Sequence, residues 1–320
     1  MMHNKPTRSL SLLVGFTVIT ALMYLLLGID FDIFQYQMTS RLRKVFLIFI
    51  VGGAIATSTV VFQAITVNRL LTPSIIGLDA VYLFSKVLIL FLFGAQSVFV
   101  QHVYLNFGVS LLMMIAFAWI LFEGIFKVGQ FSVYFILLVG VILGTFFKSL
   151  TGFLELLINP EDFLVVQSAM FANFEASNPS LVLICAVALI ILFGITVVRL
   201  PYLDVLSLGR VQAINLGVDY LLMTRCLFII VALMVAIATS LVGPITFLGL
   251  LSVNLAHEWM KTYEHRRILP ATLCISWSSL FIGQWLVEHL FDAITQTSLL
   301  INLIGGVYFI YLLLKRRQTT

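Results

Sequence analysis

Of the 320 residues, 61% are hydrophobic and only 10% charged, with a net charge of +4 and a mean hydropathy of +1.12. An ordinary soluble domain carries about 25% charged residues, so a soluble globular fold is excluded. The basic residues cluster at the ends of apolar runs, as they do in loops beside a membrane, and so are not a nucleic-acid footprint.

The apolar runs recur at roughly the twenty residues a helix needs to cross about 30 Å of hydrocarbon. They do not alternate in polarity, which excludes a transmembrane barrel. The class is an all-α polytopic membrane protein in one transmembrane domain, 1–320, with ten helices, some broken. They are expected at 10–28, 45–67, 79–95, 103–122, 131–157, 181–199, 222–242, 246–257, 270–290 and 298–314.

Lys5 and Arg8 precede the first run, which is too long for a secretory signal and lacks a small-x-small cleavage site. It reads as an uncleaved helix. An even helix count places both termini on one side, and Lys315, Arg316 and Arg317 at the far end mark that side as cytoplasmic. On this topology Arg69, Lys127, Arg199, Arg210, Arg225, Lys261, Arg266 and Arg267 also fall inside. The outer loops are acidic, with Asp30, Asp32, Glu161, Asp162, Glu175 and Asp292. One basic group breaks the pattern: Arg41-Leu42-Arg43-Lys44, expected to open the second helix from outside. It can dock acidic residues of an external partner or anchor to lipid headgroups.

Asn68 and Pro73 read as a helix stop, a turn and a new start, with Gly77 allowing close packing. Gly140 and Gly144 form a GxxxG that lets helices approach within the subunit. The stretch from Gly144 to Lys148-Ser149 lacks the Gly-Lys-Ser/Thr core of a phosphate loop. If ATP drives this protein, another chain hydrolyses it. Asp79, Lys86, Lys148, Glu155 and Glu288 fall inside predicted helices, where an ionisable group is a functional candidate. Lys148 and Glu155, spaced i, i+7, and the polar Gln63 are the pathway candidates; Lys86 can snorkel.

Between 203 and 225 lies a polar loop in which 208–218 reads as a short amphipathic helix closed by Gly217. It can insert into a groove on an ATPase or lie at the interface for this subunit alone. Further on, Gly243-Pro244-Ile245 opens a glycine-punctuated segment that leads to the charged island Lys261, Glu264, His265, Arg266 and Arg267. His257-Glu258 is not a zinc-protease motif, because Lys261 stands where the second histidine belongs. Cys185, Cys226 and Cys274 lack metal-ligand spacing, and no metal is expected.

Four of these segments resemble permease subunits of iron-siderophore and vitamin B12 ABC importers. The family's G-P-I-x-F-x-G-L and H-R-R-x-L-P are met by Gly243, Pro244, Ile245, Phe247, Gly249, Leu250, then His265, Arg266, Arg267, Leu269 and Pro270. Its Q-x-x-x-x-N-P-L-A-x-P-x-x-L-G is met by Gln63, Asn68, Leu70, Pro73 and Gly77, with Arg69 replacing the first proline. Its A-x-x-L-G-V is met by Ala213, Leu216, Gly217 and Val218, and its R-x-P-R corresponds to Arg41-Leu42-Arg43-Lys44 without the proline. The run Asn302-Leu303-Ile304-Gly305-Gly306-Val307-Tyr308-Phe309 looks like the branch that handles catecholate or mixed-ligand siderophores.

The resemblance implies the type II (BtuC-like) ABC importer permease fold and import of a ferric siderophore across the bacterial cytoplasmic (inner) membrane by alternating access. It implies docking of a periplasmic or surface-anchored siderophore-binding protein at Arg41, Arg43 and Lys44. It also implies coupling to ABC ATPase subunits through Arg210, Ala213, Leu216, Gly217, Val218, His265, Arg266 and Arg267. A paralogous second permease is favoured over a homodimer. No cofactor is expected on this chain, ATP and Mg being bound by the ATPase. Glu288 stands near where other members carry an external arginine. The rival reading is an ion-gradient-driven secondary transporter, which would need a buried carboxylate essential for transport; carboxylates spaced as a proton relay are not evident.

Overall fold

The computed structural model describes residues 5–29, 31–127, 133–174, 178–291 and 296–317, and every regular element among them is helical. In chain order these are α1 (Lys5–Leu26), α2 (Phe34–Thr66), α3 (Leu78–Phe93), α4 (Val98–Gln101), α5 (Val103–Lys127), α6 (Val133–Glu155) and α7 (Pro160–Ala169). Then follow α8 (Pro179–Val198), α9 (Leu200–Leu206), α10 (Arg210–Asn215), α11 (Tyr220–Val242), α12 (Leu248–Met260), α13 (His265–Leu290) and α14 (Thr297–Arg317). All ten expected helices are present. Seven of the described helices are long and apolar enough to cross a membrane, while α3 and α12, at 16 and 13 residues, are too short to span the hydrocarbon on their own.

Lipid is as apolar as leucine, so burial in such a protein follows small and hydrogen-bonding side chains more than hydrophobicity. The sequence obeys this. Helix α2 carries Gly52, Ala54, Ala56, Thr57, Ser58 and Thr59, all buried, and its apolar window is 78% buried. Helix α13, with Thr272, Ser276 and Ser278 buried, reaches 72%, whereas the Leu/Val/Ile-rich α8 and the outer α1 reach only 33% and 22%. Helices α2, α11 and α13 therefore form the centre, with α1, α5, α6, α8 and α14 outside. Hydroxyls and an indole fasten the centre: Ser276 donates to the Gly52 carbonyl at 3.0 Å and Trp277 Nε1 to that of Phe49 at 2.9 Å. Thr17 of α1 bonds the Cys274 carbonyl at 3.1 Å.

Several boundaries differ from the sequence expectation. Helix α2 begins at Phe34, so Arg41, Arg43 and Lys44 lie about two turns inside it and do not open it. Helix α13 begins at His265, five residues before the expected start at 270, and carries Pro270 within it. The polar loop 203–225 is mostly helical, as α9 and α10. The loop expected near 158–180 holds α7, whose start is signalled by Asn159, Pro160 and the acidic Glu161 and Asp162 of its first turn. The chain after α7 tucks inward, where Asn173 N–H donates to the Val242 carbonyl at 2.7 Å and Ala172 N–H to Ser298 Oγ at 2.9 Å. Asp30, Glu175 and Asp292 lie outside the described residues.

Candidate functional site

Two polar clusters occupy opposite ends of the central helices. Arg41 and Gln63 are separated along α2, and His265 and Glu288 along α13, by about 33–35 Å at 1.5 Å per residue. That is the thickness of a bilayer core.

At the first end, α1 stops and its last carbonyls lack helical partners. Arg41 supplies them. It is 7% exposed, and its Nη1 donates to the carbonyls of Tyr24, Leu25 and Leu27 at 3.0, 3.1 and 2.7 Å, its Nη2 to that of Gly28 at 2.9 Å. One turn on, Lys44 pairs with Glu288 of α13 at 2.8 Å, and the same carboxylate oxygen accepts from Tyr24 Oη and Gln284 Nε2. Of the three basic residues proposed for docking, the structure therefore turns two inward onto the chain itself. Arg43 is exposed and lines a cleft of about 680 Å³ with Tyr36, Thr39, Phe174 and Pro179. Glu288 and Tyr24, which organise this end, carry no sequence signal beyond an acid placed inside an apolar helix.

At the second end, Gln63 Nε2 and Asn254 Nδ2 both donate to the Arg69 carbonyl, at 2.8 and 2.9 Å, fixing the turn after α2 onto α12. Gln63 belongs to this joint and does not meet Lys148 or Glu155. The Arg69 guanidinium lies over the Tyr263 ring, 5.0 Å from its centroid. Asp204 of α9 accepts from the His265 backbone N–H at 2.9 Å and meets His265 Nδ1 at 2.6 Å. This borrowed cap explains why α13 starts at His265: the carboxylate serves an orphan N–H of the first turn and favours the helix dipole. His265 is thereby buried. Arg267 pairs with Glu264 at 2.9 Å, and Arg266 is exposed.

Helix α10 closes at Gly217, as its sequence implies. Gly217 has φ +80°, its N–H bonds the Ile214 carbonyl at 2.9 Å, and Val218 N–H bonds that of Ala213 at 3.1 Å. This is the Schellman arrangement. Ala213 is buried beneath it, while Val211 and Leu216 are 66% and 62% exposed and Arg210 stands exposed at the helix start. The residues of the two loops that the sequence offers for coupling to an ATPase thus lie at one end, where Asp204 ties α9 to His265.

Between the two ends, α6 crosses the 3₁₀ turn Pro73–Ile76 with backbones in contact. A Cβ on Gly77 would fall 2.7 Å from Gly144 Cα, and one on Gly140 3.0 Å from Ile76 Cα. Asp79, in the first turn of α3, accepts from Thr246 Oγ1 at 3.5 Å, and Lys148 is exposed on α6. Glu155 is half-buried, and its Oε1 has no hydrogen-bond partner among the described residues.

A bundle of apolar, membrane-length helices with bonded polar joints at both ends is a polytopic helical membrane protein. The chain belongs to the FecCD transport family, whose pattern matches residues 8–315. It is 43% identical over 97% of its length, and 98% of the relative's, to the petrobactin import system permease protein YclO of Bacillus subtilis (strain 168). It is 31% identical to the petrobactin import system permease protein FatC of Bacillus anthracis, over 81% of this chain and 73% of that one. Among solved structures it matches a chain of a metal-chelate type ABC transporter in an inward-facing conformation, with TM-score 0.83, 26% identity, and coverage of 97% of this chain and 99% of that chain.

Proposed function

We propose that this chain is one permease subunit of an ATP-driven importer that carries a ferric siderophore of the petrobactin type across the bacterial cytoplasmic membrane. The observation that carries the reading is the 43% identity, over nearly the full length of both chains, to a petrobactin import permease. Both termini face the cytoplasm, with α9, α10 and the α12–α13 link on the same side. The exposed apolar residues of α10 meet a separate ATPase subunit, which binds ATP and Mg; this chain binds neither. A paralogous second permease completes the pathway, and a siderophore-binding protein docks at the opposite face near Arg43.

Radioactive iron supplied as ferric petrobactin to cells lacking this gene tests the proposal. Loss of uptake, restored by the gene and blocked when the co-purifying ATPase is inactivated, is the expected result. Unchanged uptake in the deletion strain, or uptake that persists without ATP hydrolysis, would overturn it.

A further inference from the structure

Two stretches at the Gln63 end expose side chains suited to a partner, and they lie far apart in the chain. One is α10, where Arg210, Val211, Ile214 and Leu216 are exposed. The other is the link between α12 and α13, where Tyr263 is 76% exposed and Arg266, just beyond, is exposed too. Neither stretch holds its own shape. Helix α10 has six residues, and the link, 261–264, is not helical. A helix that short is unstable by itself in water, so tertiary contacts must place both.

Helix α9 is the common seat. Its Leu203 and Leu206 are 0% and 1% exposed, and Ala213 of α10 joins them in the main core. Apolar burial is non-directional, so these contacts hold α9 down without fixing its register against α13. Asp204, between the two leucines in sequence, does fix it. A single oxygen, Oδ1, accepts from the His265 backbone N–H at 2.9 Å and meets His265 Nδ1 at 2.6 Å. Five residues on, Pro270 lacks the N–H that the Arg266 carbonyl would receive in an unbroken helix. The first turn of α13 thus misses one rung of its own ladder and takes its cap from α9.

We infer that Asp204 is a positioning residue for coupling, holding α10 and the start of α13 in one register so that an ATPase meets both as a single surface. The inference rests on the proposed function. Helix α13 gives the register its use, because the same helix carries Glu288, which binds Lys44 and Tyr24 at the opposite face. A displacement of α10 that reaches His265 reaches a helix crossing the whole bundle. Without the Asp204 joint it is absorbed in the link.

The test uses the complete transporter, purified with its co-purifying subunits and reconstituted in lipid vesicles. The probes are the siderophore-binding protein and ferric petrobactin carrying radioactive iron. The Asp204 side chain is 38% exposed, so replacing it opens no cavity in the core. In Asp204→Ala, ATP hydrolysis continues while iron transported per ATP falls about fivefold, the weight of one lost helix cap. Asp204→Asn keeps an acceptor oxygen for the backbone N–H but not the charge, and loses about twofold. A ratio equal to wild type in Asp204→Ala would overturn the inference and leave the proposed function standing. Should Asp204→Ala fail to assemble, Asp204→Asn decides, and a wild-type ratio there overturns it. Slower hydrolysis with the ratio intact would also overturn it, by making Asp204 a residue of ATPase activation alone. If wild type moves no iron when ATP is supplied, the functional reading and the inference fall together.

Discussion

Lys44 of α2 and Glu288 of α13 meet at 2.8 Å with side chains only 14% and 15% exposed. The carboxylate oxygen that receives Lys44 also accepts from Tyr24 of α1, at 3.0 Å, and from Gln284, at 2.9 Å. Three helices are thus tied to one atom. A partly buried charge bonded in this way is costly to orphan, since its partners have lost water and cannot readily regain it.

Charge reversal at either residue therefore destabilises this end, and reversal at both restores it. Lys44→Glu and Glu288→Lys each cost about 3 kcal/mol, seen as a lower melting temperature in detergent. The double variant Lys44→Glu/Glu288→Lys recovers most of the loss. If the double variant melted as low as the worse single one, the two groups would not be acting as a pair.

Gly217 carries a second prediction. Its φ of +80° lets the carbonyls of Ala213 and Ile214 accept from the N–H groups of Val218 and Gly217 beyond the end of α10. A side chain in the left-handed region costs about 1–2 kcal/mol, enough to fray a six-residue helix with little else to hold it. Gly217→Val should lower the iron transported per ATP hydrolysed in the assembled complex, with the membrane level of the chain near normal. An unchanged ratio would show that the shape of α10 does not matter for coupling.

How far the sequence foretold these features depends on the range of the interaction that makes them. The Schellman closure is local: Ala213, Leu216, Gly217 and Val218 contain all its parts, so it could be read directly. The GxxxG of Gly140 and Gly144 announced a close approach but not its target, the turn at Ile76 and Gly77. The start of α13 differs from the expected 270 because its cap, Asp204, comes from α9, 61 residues earlier. Pro270 then looked like a boundary, although the helix passes through it. The sequence presents Arg41 as an outward charge for the same reason. Its four acceptors are backbone carbonyls at the end of α1 and just beyond it, and carbonyls leave no mark in a sequence.

The crossing at Gly77 and Gly144 yields a prediction with an internal control. An alanine Cβ at 144 would lie 2.9 Å from Gly77 Cα, and backbone cannot swing aside as a side chain can. Overpacking of this sort costs about 1–3 kcal/mol, so Gly144→Ala should lower the melting temperature and Gly144→Leu the yield of folded protein. Gly108→Ala in α5, whose Cβ meets nothing within 4 Å, should do neither. Equal behaviour of Gly144→Ala and Gly108→Ala would mean that the two backbones are not in contact.

Arg41 and Arg43 are two residues apart and should fail in different ways. Removing Arg41 leaves four carbonyls at the end of α1 without their charged donor, and hydrogen bonds to charged groups contribute about 1.5–3 kcal/mol each before compensation by water. Arg41→Ala should thus lower thermal stability, whether or not a binding protein is present. Arg43 makes no such bond among the described residues and faces the open cleft, so Arg43→Glu should melt like wild type. Its expected defect is slower capture of the siderophore-binding protein, strongest at low salt, where charge steers encounter, and fading as ionic strength rises. Association rates measured on the purified complex across a salt series separate the two. A capture defect for Arg43→Glu that is independent of salt would point to lost contact area in place of lost attraction. No defect at any salt would remove Arg43 from the docking surface.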